Sequence, residues 1–431
     1  MFYDKKVAFY TLGCKLNFAE TSTIARSLEN IGFIKTDFDN AADLFVINTC
    51  SVTENANREC RRIIRKAKKN SPNSFVIVTG CYAQLKPNEI SEIDGVDMVL
   101  GANDKFNIEK IITNLDNKST TEIHGCEINN LNYISSYSLS DRTRSFMKIQ
   151  DGCDYPCSYC TIPLARGKNR SDSIENIIKN AEDIANNGIK EIVITGVNIG
   201  TYKDPTNMKT LTDLLLELEK VKGINRYRIS SIEPNLITNE IINLVKNSNK
   251  FMPHFHIPLQ SGSNNILKKM RRRYQRELYA EKINKIYKEV QDVCIGADVI
   301  VGFPGETDVE FHETLNFIKS LPISYLHVFS YSERENTKAL LLPNPVSKEL
   351  KKTRSKQIRI LSNKLQQKFY RKQINKNYHV LFEEEKDGMI LGFTDNYIRG
   401  KVKNNSDICN TVKKVQLSNI ASDGIMKANI I

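Results

Sequence analysis

The chain reads Cys-Asp-Tyr-Pro-Cys-Ser-Tyr-Cys from residue 153 to residue 160, which is a C-x3-C-x2-C spacing. Cys153, Cys157 and Cys160 therefore bring three thiolates into one short loop. A 4Fe–4S cluster takes four ligands, so this spacing leaves one iron open to a small molecule. A structural zinc site is the alternative, but zinc usually takes four ligands in two close pairs, and no neighbouring His or Cys completes such a set. The spacing therefore favours an iron–sulfur cluster with an open position.

Around this loop, short apolar runs alternate with helical patterns from Ser145 to about Tyr331. The strand candidates are Phe146–Ile149, Glu191–Thr195, Tyr227–Ser231, Phe255–Leu259, Ala297–Val301 and Tyr325–Ser330. Six strand–helix units predict a partial (β/α)6 barrel over residues 142–345, with its active face at the carboxyl ends of the strands.

The same alternation occurs from Val7 to about Leu115. Its strand candidates are Val7–Leu12, Leu44–Ile47, Phe75–Val78 and Met98–Leu100, with helices such as Glu20–Asn30 and Ala56–Lys69 between them. This order predicts an open parallel α/β sheet domain over residues 1–118. The polar, weakly patterned segment 119–141 reads as a linker.

The end of the chain has a different pattern. Residues 346–374 form a long, strongly basic stretch with helical character, which we interpret as a helical connector. From residue 375 to residue 431, short strand candidates separated by turns predict a small all-β barrel. The protein is thus expected to be an α/β protein with three domains.

A second set of cysteines lies in the first domain. Cys14, Cys50 and Cys81 each follow a predicted parallel strand. The carboxyl ends of such strands face one crevice, so these distant cysteines should meet and hold a second cluster with an open iron. The alternative is three buried structural thiols, since free cysteine is often a small apolar residue.

Composition restricts the partners and the compartment. Lys and Arg outnumber Asp and Glu by 62 to 50, a net charge of +12 that suits a polyanion such as nucleic acid. No apolar run is long enough to span a membrane, and the polar start does not resemble a signal peptide. Ten cysteines without a secretory signal indicate metal chemistry in a reducing compartment, so we expect a cytoplasmic protein.

Several motifs resemble those of the methylthiotransferases, a family of radical S-adenosylmethionine (SAM) enzymes. The segments 12–17, 48–53 and 79–84 resemble the family's three cysteine motifs. The radical SAM motif is matched at residues 149–160, 164–167, 230–234, 256–263 and 302–307. The resemblance covers essentially the whole chain, and the small C-terminal barrel resembles the TRAM RNA-binding domain. Within the family, the motifs are most similar to the type that acts on tRNA bearing N6-threonylcarbamoyladenosine.

The resemblance implies methylthiolation of carbon 2 of this nucleoside at position 37 of tRNA. Carbon 2 has no acidic proton and no leaving group, so the cofactor must supply a radical. The implied cofactors are two 4Fe–4S clusters, and SAM as both radical source and methyl donor. A reductant and a sulfur source are also required. Other targets within the family are isopentenyladenosine in tRNA and an aspartate of a ribosomal protein. A non-catalytic RNA-binding iron–sulfur protein is an alternative of another class.

Residues expected to contact SAM lie at the ends of the barrel strands. They are Gly196, Asn198, Glu233, Gln260, Val301 and Gly302. An acidic residue often meets the SAM amine after the second strand in this superfamily, but Gly196-Val197-Asn198 stands there. The backbone of this segment or the side-chain oxygen of Asn198 is therefore a candidate acceptor for that amine. Gln260 is a candidate for the ribose hydroxyls, and the strand ending in Val301 for the adenine.

Basic residues are the candidates for RNA contacts. Arg166, Lys168 and Arg170 follow the cysteine loop, where they could meet phosphates of the anticodon loop. Lys401 and Lys403 lie in the predicted C-terminal barrel. Phosphate contacts position RNA but do not specify its sequence.

Overall fold

The computed structural model describes residues 2–51, 54–113, 121–125, 127–128, 131–139, 143–403 and 408–431. The N-terminal domain contains strands β1 (Lys6–Thr11), β2 (Ile34–Thr36), β3 (Leu44–Thr49), β4 (Phe75–Gly80), β5 (Met98–Leu100) and β6 (Glu122–His124). Its helices are α1 (Lys15–Asn30), α2 (Glu54–Asn70), α3 (Cys81–Leu85), α4 (Pro87–Ser91) and α5 (Ile108–Thr113). All six strands are parallel, in the order β2-β1-β3-β4-β5-β6. The predicted open parallel sheet is confirmed.

The order of the strands creates a crevice. The chain first places β2 on one side of β1 and then crosses to place β3 on the other side. Such a switch point opens a crevice at the carboxyl ends of the strands, where ligands bind in open α/β sheets. Every residue of β3 is buried, as expected for a central parallel strand covered on both faces.

The central domain is a partial barrel. Its strands are β7 (Ser136–Tyr137), β8 (Arg144–Lys148), β9 (Gln150–Asp151), β10 (Arg170–Ser171), β11 (Glu191–Thr195), β12 (Arg226–Ile229), β13 (His254–His256), β14 (Cys294–Val301) and β15 (Tyr325–Ser330). Its helices are α6 (Ile162–Arg166), α7 (Ile174–Asn186), α8 (Leu211–Lys220), α9 (Asn239–Asn247), α10 (Asn264–Lys269), α11 (Arg276–Glu289) and α12 (Asp308–Ser320). Strands β8, β11 and β12 pair in parallel, as do β13, β14 and β15, and a parallel bridge from Tyr227 to Phe251 links the two groups. These six strands match the six predicted ones.

Two short strands fall within the predicted linker, residues 119–141. β6 extends the N-terminal sheet, and β7 pairs antiparallel with β8. Part of that segment is therefore built into both domains. Residues 119, 120, 126, 129, 130, 140 and 141 lie outside the described residues.

The barrel has a polar interior. Side chains alternate between the two faces of a strand. Tyr227 and Ile229 of β12 are buried in the hydrophobic core beneath the outer helices, so Arg226 and Arg228 of the same strand face the lumen. Both arginines are nevertheless shielded from solvent. The lower end of the lumen is therefore a charged chamber shielded from solvent.

Helix α1 closes one side of this chamber. Ala19 of α1 contacts Phe146 of β8 and Val193 of β11, two residues that alternate with core positions and therefore face the lumen. The crevice of the N-terminal domain therefore lies against the barrel.

The C-terminal region contains α13 (Lys348–Arg371) and strands β16 (Asn377–Lys386), β17 (Met389–Thr394), β18 (Arg399–Lys403), β19 (Val412–Ile420) and β20 (Met426–Ile430). The strands form a closed barrel in the order β16-β17-β18-β20-β19, which confirms the predicted small all-β barrel. The turn after β17 enters the lower end of the large barrel. Arg228 Nη2 donates to Thr394 O at 2.7 Å, and the Tyr397 ring stacks on His254 with centroids 4.3 Å apart.

Helix α13 divides its cations between two faces. Arg354 is buried and pairs with Glu306 at 2.8 Å and with Asp308 at 2.7 Å. Lys351 is also buried. The solvent-facing side carries Lys348, Lys352, Lys356, Arg359 and Lys364. None of the helices in the described ranges combines the length and the apolar character that crossing a membrane requires.

Candidate functional site

The loop of residues 153–160 lies at the carboxyl end of β8 and β9 and is tied down at both ends. The backbone N–H of Cys153 donates to Gly167 O at 3.1 Å, and Ser158 Oγ donates to Lys269 O at 2.8 Å. Burial raises the pKa of all three thiols, Cys153, Cys157 and Cys160, and the nearby Cys157 raises the pKa of Cys153 and Cys160 further. For Cys160, burial raises the pKa to about 12. These thiols point into a sheltered common space.

Hydrogen-bond donors converge on two of these sulfurs. Arg272 Nη1 donates to Cys157 Sγ at 3.2 Å, and the backbone N–H of Tyr155 donates to Cys153 Sγ at 3.4 Å. Such donors tune an iron–sulfur cluster held by thiolates. Sequence reasoning did not identify Arg272, because a run of three arginines, residues 271–273, reads as a solvated surface.

Glu233, an expected SAM contact, pairs with the Arg272 guanidinium. Burial raises the pKa of the Glu233 carboxyl despite this partner. Glu233 thus supports Arg272 through Oε2, and a contact of Glu233 with SAM stays a prediction.

Asn198 presents an unsatisfied acceptor beside the loop. Its backbone N–H donates to Gln150 Oε1 at 2.8 Å, and its side chain lies beside the Cys153 thiol. In the described part of the chain, its Oδ1 atom is buried and has no hydrogen-bond partner. A buried oxygen of this kind requires a donor, and the amine of SAM would supply one. The site therefore fits the expected cofactor at this atom.

Gly196 precedes Asn198 at a crowded turn. A Cβ there would lie 2.7 Å from Ile199 Cγ2 and 2.8 Å from Gln150 Oε1. Neighbouring protein atoms therefore already explain the glycine at position 196, without any contact to SAM. Gln260 has a left-handed backbone, φ +63°, and its N–H donates to Asp298 O at 2.8 Å. Its side chain is half-buried at the end of β13.

Two expected SAM contacts are differently placed. The Val301 side chain is fully buried in the core beneath the outer helices, so it does not face the lumen. Gly302 packs against α13, where a Cβ would lie 2.3 Å from Lys351 Cγ, and its N–H donates to Glu306 Oε2 at 2.6 Å. Strand alternation explains the first case, since residue 300 is the one that faces inward.

The second cysteine triplet occupies the crevice of the N-terminal sheet. Cys14, Cys50 and Cys81 follow β1, β3 and β4, which are adjacent strands. A Cβ on Gly13 would lie 2.8 Å from Cys50 Cβ, so the first two loops touch. Asn17 Nδ2 ties them together by donating to Leu12 O at 2.8 Å and to Thr49 O at 3.0 Å.

Cys81 is the buried member of this triplet. Burial raises the pKa of its thiol, and Cys14 is near enough to raise it further. The three distant cysteines thus share one end of the sheet, as the strand pattern predicted. Three thiols gathered at one crevice fit a cluster with one open iron.

Arg334, in the segment after β15, approaches the same crevice. The charges of Glu54 and Cys50 act on its guanidinium. Among the described residues, its buried Nε and Nη2 atoms have no hydrogen-bond partner. Ser332 Oγ accepts from the Glu54 N–H at 3.4 Å, which docks this segment on the loop after Cys50.

A buried ion network joins the two triplets. It comprises Glu20 of α1, Lys105, Lys148 of β8, Asp151 of β9 and Arg166 of α6. All five side chains are at most 6% exposed. The network contains two carboxylates and three cations, and the charges of Cys81 and Cys14 act on Arg166.

Arg166 was predicted to contact RNA, and this prediction is wrong. Its guanidinium donates to Glu20 Oε1 at 2.9 Å, Asp151 Oδ1 at 3.0 Å and Asn17 Oδ1 at 2.6 Å. A guanidinium enclosed by these acceptors has no donor facing solvent. Arg166 instead links the radical loop to the auxiliary crevice.

The other RNA candidates differ in exposure. Lys168 and Lys403 are exposed. Arg170 is half-buried, and its Nη1 donates to Arg166 O at 2.6 Å and Lys168 O at 2.9 Å. Lys401 pairs with Asp423. Sequence reasoning had no access to these pairings.

A groove of about 1010 Å³ runs between α13 and the end of β15. Exposed cations of α13 line it, namely Lys348, Lys352, Lys356 and Arg359, together with the exposed ring of Phe329. Cations beside an aromatic ring suit a nucleic-acid strand.

The lumen beneath the triplets has a distinct charge pattern. Lys15, the first residue of α1, reaches solvent but lies in a cleft that many protein atoms enclose. Burial, followed by the charges of Arg144 and Arg228, lowers the pKa of its ammonium to about 8. Opposite it, Asp298 Oδ1 lies 2.9 Å from His256 Nε2 and 3.3 Å from His327 Nδ1.

Comparisons with known proteins place this geometry in a family. The model of the uncharacterized protein family UPF0004 matches residues 6–101, and the radical SAM superfamily model matches residues 147–318. The threonylcarbamoyladenosine tRNA methylthiotransferase MtaB of Bacillus subtilis (strain 168) is 40% identical over 425 residues, covering 95% of this chain and 93% of the relative. The ribosomal protein uS12 methylthiotransferase RimO of Clostridium novyi (strain NT) is 34% identical over 393 residues, covering 90% and 88%.

A solved structure supports the fold. The radical S-adenosylmethionine methyltransferase TsrM from Kitasatospora setae, with cobalamin and a [4Fe-4S] cluster bound, has a TM-score of 0.57 at 14% identity, covering 78% of this chain and 77% of that one. Motifs, fold and near-complete coverage by relatives agree. The chain belongs to the methylthiotransferase family of radical SAM enzymes.

Proposed function

We propose that this protein methylthiolates carbon 2 of N6-threonylcarbamoyladenosine at position 37 of tRNA. The observation that carries the proposal is the placement of two cysteine triplets on either side of one buried ion network. Helix α3, which begins at Cys81, packs on α6, which follows Cys160. A reaction that both cuts a C–H bond and adds sulfur needs two such centres close together.

The residues that would hold the cofactors follow from this placement. Cys153, Cys157 and Cys160 would bind one 4Fe–4S cluster with SAM, and Cys14, Cys50 and Cys81 a second cluster. When bound, these groups supply the radical chemistry, the sulfur and, from SAM, the methyl group. The orphaned Asn198 Oδ1 would accept the amine of SAM.

The protein's own contribution is orientation and exclusion of water. Arg272 holds a positive charge on Cys157 and is itself held by Glu233. The buried ion network keeps the two cysteine-bearing loops in a fixed relation. A substrate base must leave its stack to enter the lumen between them.

The relatives support the choice of substrate. The relative of Bacillus subtilis named for threonylcarbamoyladenosine tRNA is 40% identical, compared with 34% for the relative named for ribosomal protein uS12. Basic residues such as Lys168 and Lys403, and the groove beside α13, would contact the tRNA backbone. We place the reaction in the cytoplasm, with a separate reductant and sulfur source as partners.

Nucleoside mass spectrometry tests the proposal. A strain lacking the gene should lose methylthio-threonylcarbamoyladenosine from its tRNA and regain it with the intact gene, but not with Cys14→Ala or Cys157→Ala. Loss of the methylthio-isopentenyl nucleoside, or of a modified ribosomal-protein aspartate, would assign another target. If no modification changes and reduced protein does not cleave SAM, the protein is a non-catalytic iron–sulfur protein.

A further inference from the structure

Lys15 holds an unpaired positive charge at the boundary of the two cysteine triplets. It follows Cys14 directly and begins α1, the helix that closes the barrel lumen. In the described part of the chain, its ammonium makes no ion pair and no hydrogen bond with a side chain. Its charge acts on groups inside the lumen, including Asp298 and His254. Ala19, one turn after Lys15 on the same face of α1, packs on Phe146 and Val193 of the barrel, so Lys15 also lies on the face turned toward the chamber.

The carboxylates of this chamber are already engaged. Glu191 forms ion pairs with Arg228 at 2.7 Å and with Arg226 at 3.3 Å, and Arg144 forms one with Glu383 at 2.6 Å. Arg226 also lies 3.3 Å from Asp395. Among the described residues, none of these carboxylates pairs with Lys15.

Asp298 is the nearby carboxylate on the opposite wall. It accepts from two imidazoles, His256 at 2.9 Å and His327 at 3.3 Å. The two histidine rings stack with centroids 4.9 Å apart, which holds this arrangement. Asp298 is thus held by two imidazoles on its own wall, and the Lys15 ammonium has no carboxylate partner among the described residues.

A second unsatisfied group lies on the same wall. His254 is 6% exposed, and its Nε2 atom lies 2.9 Å from Tyr325 Oη. Its Nδ1 atom is buried without a hydrogen-bond partner among the described residues. Since Phe255 points into the outer core, His254 and His256 both face the lumen. The chamber therefore offers a free cation and a free imidazole nitrogen to a polar, anionic ligand.

We propose that Lys15 binds the carboxylate of the threonyl group, and that it is a specificity-determining residue for the substrate. This inference rests on the proposed function. The base that enters the lumen to react at carbon 2 brings its N6 substituent, two ring positions away, into the same chamber. A threonylcarbamoyl group brings a carboxylate, a hydroxyl and a urea, whereas an isopentenyl group brings no polar atom. Binding the latter would desolvate Lys15 without a partner, which a site built for hydrogen bonding rejects strongly.

Binding of matched RNAs tests the inference without depending on turnover. Reconstituted protein is titrated with synthetic anticodon stem–loops carrying threonylcarbamoyladenosine, its methyl ester or isopentenyladenosine, and the Kd is measured by fluorescence anisotropy. Wild type should bind the acid at least about tenfold more tightly than the ester. Lys15→Met should bind both at the level of the ester, and Lys15→Arg should keep the preference.

Lys348→Met is the matched control, because this exposed lysine of α13 lies outside the chamber. It should weaken all three RNAs by the same factor. Iron content must match that of wild type in each variant, which separates ligand binding from loss of a cluster beside Cys14. A preference for the acid that persists in Lys15→Met overturns the inference. A uniform loss for all three RNAs assigns Lys15 to the RNA backbone and overturns it as well.

Product analysis on the same samples separates this inference from the proposed function. Wild type that methylthiolates the threonylcarbamoyl RNA without distinguishing acid from ester in binding refutes the role of Lys15 alone. Wild type that methylthiolates only the isopentenyl RNA refutes the proposed function, and the role of Lys15 with it.

Discussion

Replacing Glu20 by Gln should weaken the attachment of the N-terminal domain to the barrel. Glu20 is fully buried on α1, where Oε1 lies 2.9 Å from Arg166 and 3.3 Å from Lys148, and Oε2 lies 2.8 Å from Lys105. The substitution keeps the shape of the side chain and removes its charge. Asp151 is then the one carboxylate left to balance three buried cations.

The magnitude follows from that imbalance. Removing one partner from a buried ion pair costs about 3–5 kcal/mol, since the other partner stays buried without compensation. The amide oxygen of Gln still accepts one hydrogen bond, so we expect about 3 kcal/mol. Because Arg166 connects the radical loop to the auxiliary crevice, the iron bound at both triplets should fall as well.

Equilibrium urea unfolding of the cluster-free protein measures this loss. The chain has no Trp and 17 Tyr, so far-ultraviolet circular dichroism and tyrosine fluorescence serve as two probes. Their coincidence tests two-state behaviour. Glu182→Gln, at an exposed position of α7, is the matched control and should change the free energy of unfolding by less than about 0.5 kcal/mol. A Glu20→Gln variant as stable as this control would refute the reasoning.

The pH dependence of stability checks independently that the charge of Glu20 stabilises the fold. Burial alone would raise the pKa of Glu20, but the charges of Arg166, Lys105 and Lys148 hold it well below its usual range. A carboxyl with a depressed folded-state pKa stabilises the fold above its unfolded pKa of about 4.3 and loses that contribution as the pH falls. The difference in the free energy of unfolding between wild type and Glu20→Gln should therefore stay constant from pH 8 to about 5 and become smaller below about pH 4.

Two further predictions concern the radical loop. Asn198→Leu should weaken SAM binding to the reconstituted protein at least tenfold, because a hydrogen bond to a charged group contributes about 1.5–3 kcal/mol. Asn198→Asp should restore binding, and Asn186→Leu, at an exposed position, should not change it. Equal Kd values for Asn198→Leu and wild type in calorimetry would contradict the assignment. Arg272→Met should make the reduction potential of the radical cluster more negative, since the sulfur of Cys157 loses a charged donor at 3.2 Å. An unchanged midpoint potential, in a redox titration followed by electron paramagnetic resonance, would show that Arg272 is merely structural.

Much of the fold was predictable because parallel strands covered on both faces are continuous apolar runs. β3 and β4 are of this kind, and both were predicted. The short strand β2 was missed because its residues are exposed or half-buried, which leaves no apolar pattern. β20 was missed because its sequence alternates Met, Lys, Ala, Asn and Ile, and two of its five residues are buried.

Charged residues were harder to interpret. Arg166 and Glu20 have the sequence context of ordinary solvated helix residues, and their burial arises only when the N-terminal domain docks on the barrel. Arg272 was unrecognised for the same reason. The Val301 side chain lies in the outer core because side chains alternate along β14, an orientation that the apolar run alone does not indicate.

The sequence by itself determined the chemistry available to this protein. Cys153, Cys157 and Cys160 are so close in the chain that their common site needs no tertiary information, and the positions of Cys14, Cys50 and Cys81 at strand ends follow from the alternation of apolar runs. Tertiary structure alone decided which cations face solvent, which are enclosed, and that Lys15 faces the lumen. The physical reason is that apolar patterns act locally along the chain, whereas the partner of a charge is set by elements that meet only in the folded molecule.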